Sequence, residues 1–80
     1  MLLNIITPDE LIYSGEIKLV QLPGVDGSFE ILNNHAPLIS TLGKGQIKVM
    51  EANNELKYFD IDEGVVEVQN NRVIVLAGSV

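Results

Sequence analysis

The sequence contains no cysteine and no tryptophan, a single histidine, and two tyrosines and two phenylalanines as its only other aromatic rings. Without cysteine there is neither a disulfide staple nor a thiolate metal site, so the apolar core must stabilise the fold alone. That composition fits an ordinary cytosolic fold rather than a small secreted scaffold. Basic residues are also scarce: five Lys and Arg stand against eleven Asp and Glu, for a net charge of −6. Such a surface repels phosphate backbones and anionic headgroups, which argues against nucleic acid as a partner and against direct membrane binding. Long hydrophobic runs are missing too, since Val73-Ile74-Val75-Leu76-Ala77 is far shorter than the ~20 residues of a spanning helix. The opening "MLLNIITPDE" lacks the basic start and cleavage site of a secretory signal, so the chain is expected to be soluble and to stay inside the cell.

What is present is 80 residues, 46% of them hydrophobic. That suffices for one small domain, residues 1–80, with a thin core. Turn signals recur every few residues: Ser14-Gly15, Pro23-Gly24, Asp26-Gly27, Asn33-Asn34, Gly43 to Gly45, Asn53-Asn54, Glu63-Gly64 and Asn70-Asn71. Short runs of Ile, Val and Leu lie between them, the spacing of an all-β sandwich or barrel.

Two hairpins can be registered directly. With Asn70-Asn71 as a two-residue turn, Val68 faces Val73, Val66 faces Val75 and Gly64 faces Ala77, a wholly apolar face. The other face pairs Gln69 with Arg72, Glu67 with Ile74 and Val65 with Leu76. A three-residue loop Asn53-Asn54-Glu55 sets Val49 against Phe59, Ile47 against Ile61, Glu51 against Lys57, Lys48 against Asp60 and Met50 against Tyr58. In "EIKLVQLPG", both alternating sets, Ile17, Leu19, Gln21 and Lys18, Val20, Leu22, are largely apolar, which predicts a strand packed on both sides. "TPDE" matches a capping box with Pro8 at the first helical position, yet Gly15 comes before a second turn and "LIY" suits a strand. The expectation is all-β throughout.

No segment carries an enzyme signature. His35 is the only candidate base, none of Ser14, Ser28, Ser40 and Ser79 lies in a Gly-x-Ser-x-Gly elbow, and no second ligand sits near it at zinc-like spacing. From its surroundings alone, His35 reads as a loop residue, solvated, bonded to nearby backbone or touching a partner. "DIDEG" lacks the ligand pattern of a calcium loop and reads as a turn. Gly24, Gly27, Gly43 and Gly45 do not fit a phosphate-binding loop. No cofactor or metal is expected. Two rival readings are a β-sandwich module for sugars or peptides, which needs exposed aromatics, and a hydrolase using His35.

Taken together, "LPGVDGSFEILNNHAPLISTLGKGQIKV" and "GVVEVQNNRVIVLAG" resemble the epsilon subunit of F-type ATP synthases. The shared elements are Pro23, Gly24 and Gly27, then His35-Ala36-Pro37-Leu38, Gly45 and Ile47, and a closing hairpin from Gly64 to Ala77. The resemblance implies a flattened sandwich or barrel of about ten mostly antiparallel strands. It also implies a non-catalytic rotor subunit on the gamma subunit and the c-ring, at the cytoplasmic face of the bacterial inner membrane and touching the membrane only through the complex. Carried over by position, it assigns Thr7, His35 and Ser40 to gamma, and Gly24, Val25, Asp26, Gly27, Ser28 and Glu30 to the c-ring; Leu38 and Ile39 join the gamma set from their place beside an otherwise polar turn. Among apolar side chains, Leu32, Leu38 and Ile39 are the expected anchors. Many family members have glycine at the position of Glu30 and Pro-Gly in place of Asn33-Asn34. Relatives commonly continue into a two-helix hairpin that brakes hydrolysis, to which no part of residues 1–80 corresponds.

Overall fold

Alternation with period two decides which face each strand buries, and the computed structural model, which describes all 80 residues, follows it through eight strands. These are β1 (Leu2–Ile6), β2 (Leu11–Gly24), β3 (Gly27–Leu32), β4 (Leu38–Leu42), β5 (Gly45–Glu51), β6 (Leu56–Ile61), β7 (Gly64–Gln69) and β8 (Arg72–Ala77). The family pattern of about ten strands is therefore corrected to eight. One reason is β2, whose 14 residues run unbroken through both layers. Its N-terminal half pairs with β1, and the first layer continues through β8 and β7 to β4. Its C-terminal half pairs with β3 on one side and β5 on the other, and β6 completes the second layer. All pairings are antiparallel except β1 with β8.

Between the layers lie Leu3, Ile5, Val20, Leu22, Ile31, Ile47, Val49, Val66 and Val75, none of them solvent-exposed. Burying each such side chain contributes roughly 1.5–3 kcal/mol, so a few of them decide the stability of so small a domain. The β7–β8 hairpin has the expected register throughout, with Asn70 and Asn71 both at positive φ, 53° and 59°. Those angles make a type I′ turn, which matches the strand twist.

The β5–β6 hairpin differs from expectation by two residues. Ile47 faces Phe59, Lys48 faces Tyr58 and Val49 faces Lys57. Asn54 is the cause. A three-residue loop needs its left-handed residue last, and Asn54 has φ 70°. The loop is thus Ala52 to Asn54, closed by the Glu51 amide donating to the Glu55 carbonyl at 2.8 Å. A loop ending on Glu55 would force a glutamate into that conformation. A two-residue shift keeps every side chain on its face, so the core survives the correction.

The strand expected to be packed on both sides also has another explanation. Ile17 opposes Glu51 while Leu19 opposes Met50, leaving Lys18 as a bulged extra residue. The bulge re-phases β2, so Ile17, Val20 and Leu22 all face one core. "TPDE" forms the β1–β2 turn, with the Thr7 amide donating to the Glu10 carbonyl at 2.9 Å.

A side-chain knot joins the layers where β2 passes β5 and β6. The Tyr13 hydroxyl donates to Glu51 Oε2 at 2.5 Å, the Phe59 ring lies 5.5 Å from the tyrosine ring, and Lys57 Nζ sits 3.7 Å from Glu51 Oε2. Partial burial first, then the Glu51 hydrogen bond and charge, push the Tyr13 hydroxyl up from 10.0 to about 12. The fold favours the neutral phenol, so this stabilisation is complete below pH 10 and fades as pH climbs from 10 to 12. Urea titrations should therefore show the native protein losing more stability between pH 9 and pH 11 than Tyr13→Phe does. Equal losses would contradict the assignment.

Candidate docking surface

The strand registers place the turns at two opposite ends of the body. One end holds the β2–β3 tip and the β1–β2, β4–β5 and β6–β7 turns, because Gly24 pairs with Leu42, Leu42 with Gly64, Gly64 with Ala77 and Ile6 with Leu76. The other holds Met1, the 33–37 loop and the two asparagine turns. The buried amino group of Met1 ties that end together, 3.3 Å from Glu16 and donating to Asn33 Oδ1 at 3.2 Å.

Gly24, Val25, Asp26, Gly27 and Ser28 form the β2–β3 tip. Glycine is required at its first position: a Cβ on Gly24 would meet the Gly27 carbonyl oxygen at 2.6 Å. The tip is braced against β4, with the Val25 amide donating to the Thr41 carbonyl at 3.2 Å and the Gly43 amide to the Pro23 carbonyl at 2.8 Å. Val25 itself projects, 59% exposed. Glu30 stands apart from the tip, opposite Gln21 on the outer face of the second layer.

The residues assigned to gamma do not form one cluster. Thr7 lies at the tip end, whereas His35 lies at the opposite end, where the Asn34 amide donates to Asn71 Oδ1 at 2.8 Å. The His35 imidazole is exposed, and Nδ1 lies 2.7 Å from the Ala36 carbonyl oxygen. No serine or carboxylate bonds to it, and no three His, Asp or Glu side chains converge as a metal site. Leu38 and Ser40 share the inward side of β4 with their partners Val68 and Val66. Ile39 points outward, 71% exposed, beside Glu67. Leu32 belongs to the other face altogether.

Two apolar rows cross the outer faces. On the first layer, Val65, Leu76, Ile6 and Leu11 are successive cross-strand neighbours on β7, β8, β1 and β2. Leu76 is 53% and Leu11 57% exposed. A shallow recess of about 330 Å³ opens on this row between Ile6, Thr7, Pro8, Leu76 and Ala77. Ile39 and Ile74 flank Glu67 one step along the strands. On the second layer, Leu32, Leu19, Met50 and Leu56 make the other row. The Val65–Leu76 pair is legible in the hairpin register. Its extension to Ile6 and Leu11 depends on the parallel β1–β8 pairing, for which no local sequence signal exists.

Residues 1–80 match the family model described as ATP synthase, Delta/Epsilon chain, beta-sandwich domain. The chain belongs to this family. It is 38% identical over 78 residues to the ATP synthase epsilon chain of Chlorobium limicola, covering 98% of this chain and 89% of that one. With the epsilon chain of Maridesulfovibrio salexigens it shares 42% over 77 residues, covering 96% of this chain and 54% of that one. The delta/epsilon domain thus spans most of the first relative and about half of the second. Its fold is that of a chain in the Euglena gracilis mitochondrial ATP synthase (OSCP/F1/c-ring), with a TM-score of 0.90 at 19% identity, covering 96% of this chain and 49% of that one. A chain in the Tetrahymena thermophila ATP synthase central stalk and c-ring matches with a TM-score of 0.81, also at 19% identity, covering 96% of this chain and 62% of that one.

Asp62 braces the segment that follows β8. Asp62 Oδ1 accepts the amides of Ser79 at 3.0 Å and Glu63 at 2.7 Å, which holds its carboxyl below the usual range, Ser79 being the larger cause. Removing that acceptor in Asp62→Ala should speed hydrogen exchange at the Ser79 amide while leaving core amides unchanged. An unaltered Ser79 rate would show that the brace holds nothing.

Proposed function

We propose that this domain is a non-catalytic rotor element of an F-type ATP synthase, docking on the gamma subunit and the c-ring and tying ion-driven rotation to the catalytic head. It acts as a peripheral subunit at the cytoplasmic face of the bacterial inner membrane. Epsilon-chain relatives and the architecture shared with chains in stalk and c-ring assemblies support the reading. The single observation that carries it is the apolar row Val65–Leu76–Ile6–Leu11 on the outer face of the first layer, with Val65, Leu76 and Leu11 exposed. Soluble monomers seldom leave so continuous an apolar row without a partner.

Gamma takes the outer face of the first layer, where Thr7 borders the row and Ile39 flanks it. The c-ring takes the braced Gly24 to Ser28 tip, whose exposed Val25 and Asp26 lead the body at that end. A closely packed sandwich is stiff, so load applied at the tip reaches the gamma face with little yielding.

Co-purification with gamma from the same organism tests the reading, the expected result being a stable one-to-one complex. Ile39→Asp, at the margin of the face, should weaken that complex about tenfold without unfolding the domain, a loss of roughly 1.4 kcal/mol. Binding at native affinity would remove Ile39 from the interface.

A further inference from the structure

We propose that the gamma surface received by this face is an apolar ridge bordered on one side by lysine and arginine side chains, because carboxylates edge the Val65–Leu76–Ile6–Leu11 row along one end. The inference rests on the gamma-docking reading and adds the chemistry of the partner.

Asp9 and Glu10 occupy the turn between Ile6 and Leu11, while Asp62 and Glu63 occupy the turn that leads into Gly64 and Val65. Both turns meet the same terminal segment. The Gly78 amide donates to the Glu63 carbonyl at 3.2 Å and the Ser79 amide to Asp62, while Thr7, Asp9 and Glu10 line a shallow recess against Gly78, Ser79 and Val80. Four exposed carboxylates therefore form one border to the row.

None of the four has a cationic partner. The two ion pairs of the chain join Met1 to Glu16 and Lys57 to Glu51. Lys18, Lys48 and Lys57 belong to the second layer, and Lys44 to the β4–β5 turn. The one cation on the first-layer face, Arg72, lies at the far end of β8. A second copy of the chain would bring a like-charged border and a net −6 of its own, so self-association is opposed. A basic, apolar partner is what this face complements.

Rim charges act mainly on the rate of encounter, whereas buried apolar contacts act on the rate of escape. The association of the full chain with gamma is therefore to be followed at 20 mM and 300 mM salt for the native protein, for Asp9→Asn/Glu10→Gln/Glu63→Gln, and for Leu76→Ser. Asp62 is left intact because it holds Ser79. The neutralised variant should associate about tenfold more slowly at low salt, with most of the salt dependence gone and dissociation nearly unchanged. Leu76→Ser should dissociate faster and keep its salt dependence. If the neutralised variant associates at or above the native rate while Leu76→Ser weakens the complex, the basic border is wrong and the docking face stands. Should neither variant differ from the native protein, both the border and the docking face fail.

Discussion

Replacing Leu76 with aspartate should cut affinity for gamma at least about thirtyfold, the equivalent of roughly 2 kcal/mol at an interface hot spot. Leu76 holds the centre of the first-layer row, with Val65 on one side and Ile6 on the other. A carboxylate there would be desolvated against apolar neighbours on complex formation. It would also add to the charge of the Asp9, Glu10, Asp62 and Glu63 border. In the free domain the same side chain is 53% exposed, so the substitution should move folding stability by only about 0.5 kcal/mol. Surface plasmon resonance and urea titration together check both halves. Loss of binding with a normal unfolding midpoint is expected, while native affinity would remove the row from the interface.

The second large effect lies inside the sandwich. Ile47→Ala should destabilise the domain by about 2–5 kcal/mol, the usual cost of truncating a fully buried isoleucine. Ile47 is wholly inaccessible and stands opposite Phe59, so nothing flexible lies ready to fill the space. A domain of this length has on the order of 4–12 kcal/mol in total, so the variant should unfold at a markedly lower urea concentration. Tyr58, on the outer face of the same hairpin, supplies the contrast. Tyr58→Ala should cost less than about 1 kcal/mol, and a larger effect there than at Ile47 would place the core on the wrong side of β5 and β6.

Much of this was readable from residues alone, for reasons that differ by element. The β7–β8 register was legible because two consecutive asparagines fix a turn geometry and a buried valine face fixes the phase. In β5–β6 the charge pattern favours a register two residues from the one adopted. Opposite-charge pairs such as Lys48 with Asp60 are weak determinants beside the left-handed position that Asn54 must occupy. Lys57 and Glu51 still meet, as a diagonal pair. In β2, a bulge at Lys18 mimicked a strand packed on two sides, because an inserted residue and a second apolar face leave the same mark on an alternating pattern.

The candidate surface was legible only in pieces. Motif positions pointed to the Gly24–Ser28 tip and a place beside a polar turn pointed to Ile39; Val25 and Ile39 both project from the body. Leu38 and Ser40 lie on either side of Ile39 but alternate inward, a consequence of strand pleating once β4 pairs with β7. Ile6 and Leu11 join the row through long-range pairing. Local sequence holds no record of such pairing, since it depends on which distant strand lies alongside.

The measurement that bears most directly on the central claim is photo-crosslinking from two positions on opposite faces of the domain bound to gamma. A photoreactive residue at Glu67, beside the apolar row, should form a covalent adduct with gamma, and one at Tyr58, on the outer face of the second layer, should form none. Adducts from Tyr58 and none from Glu67 would contradict the account.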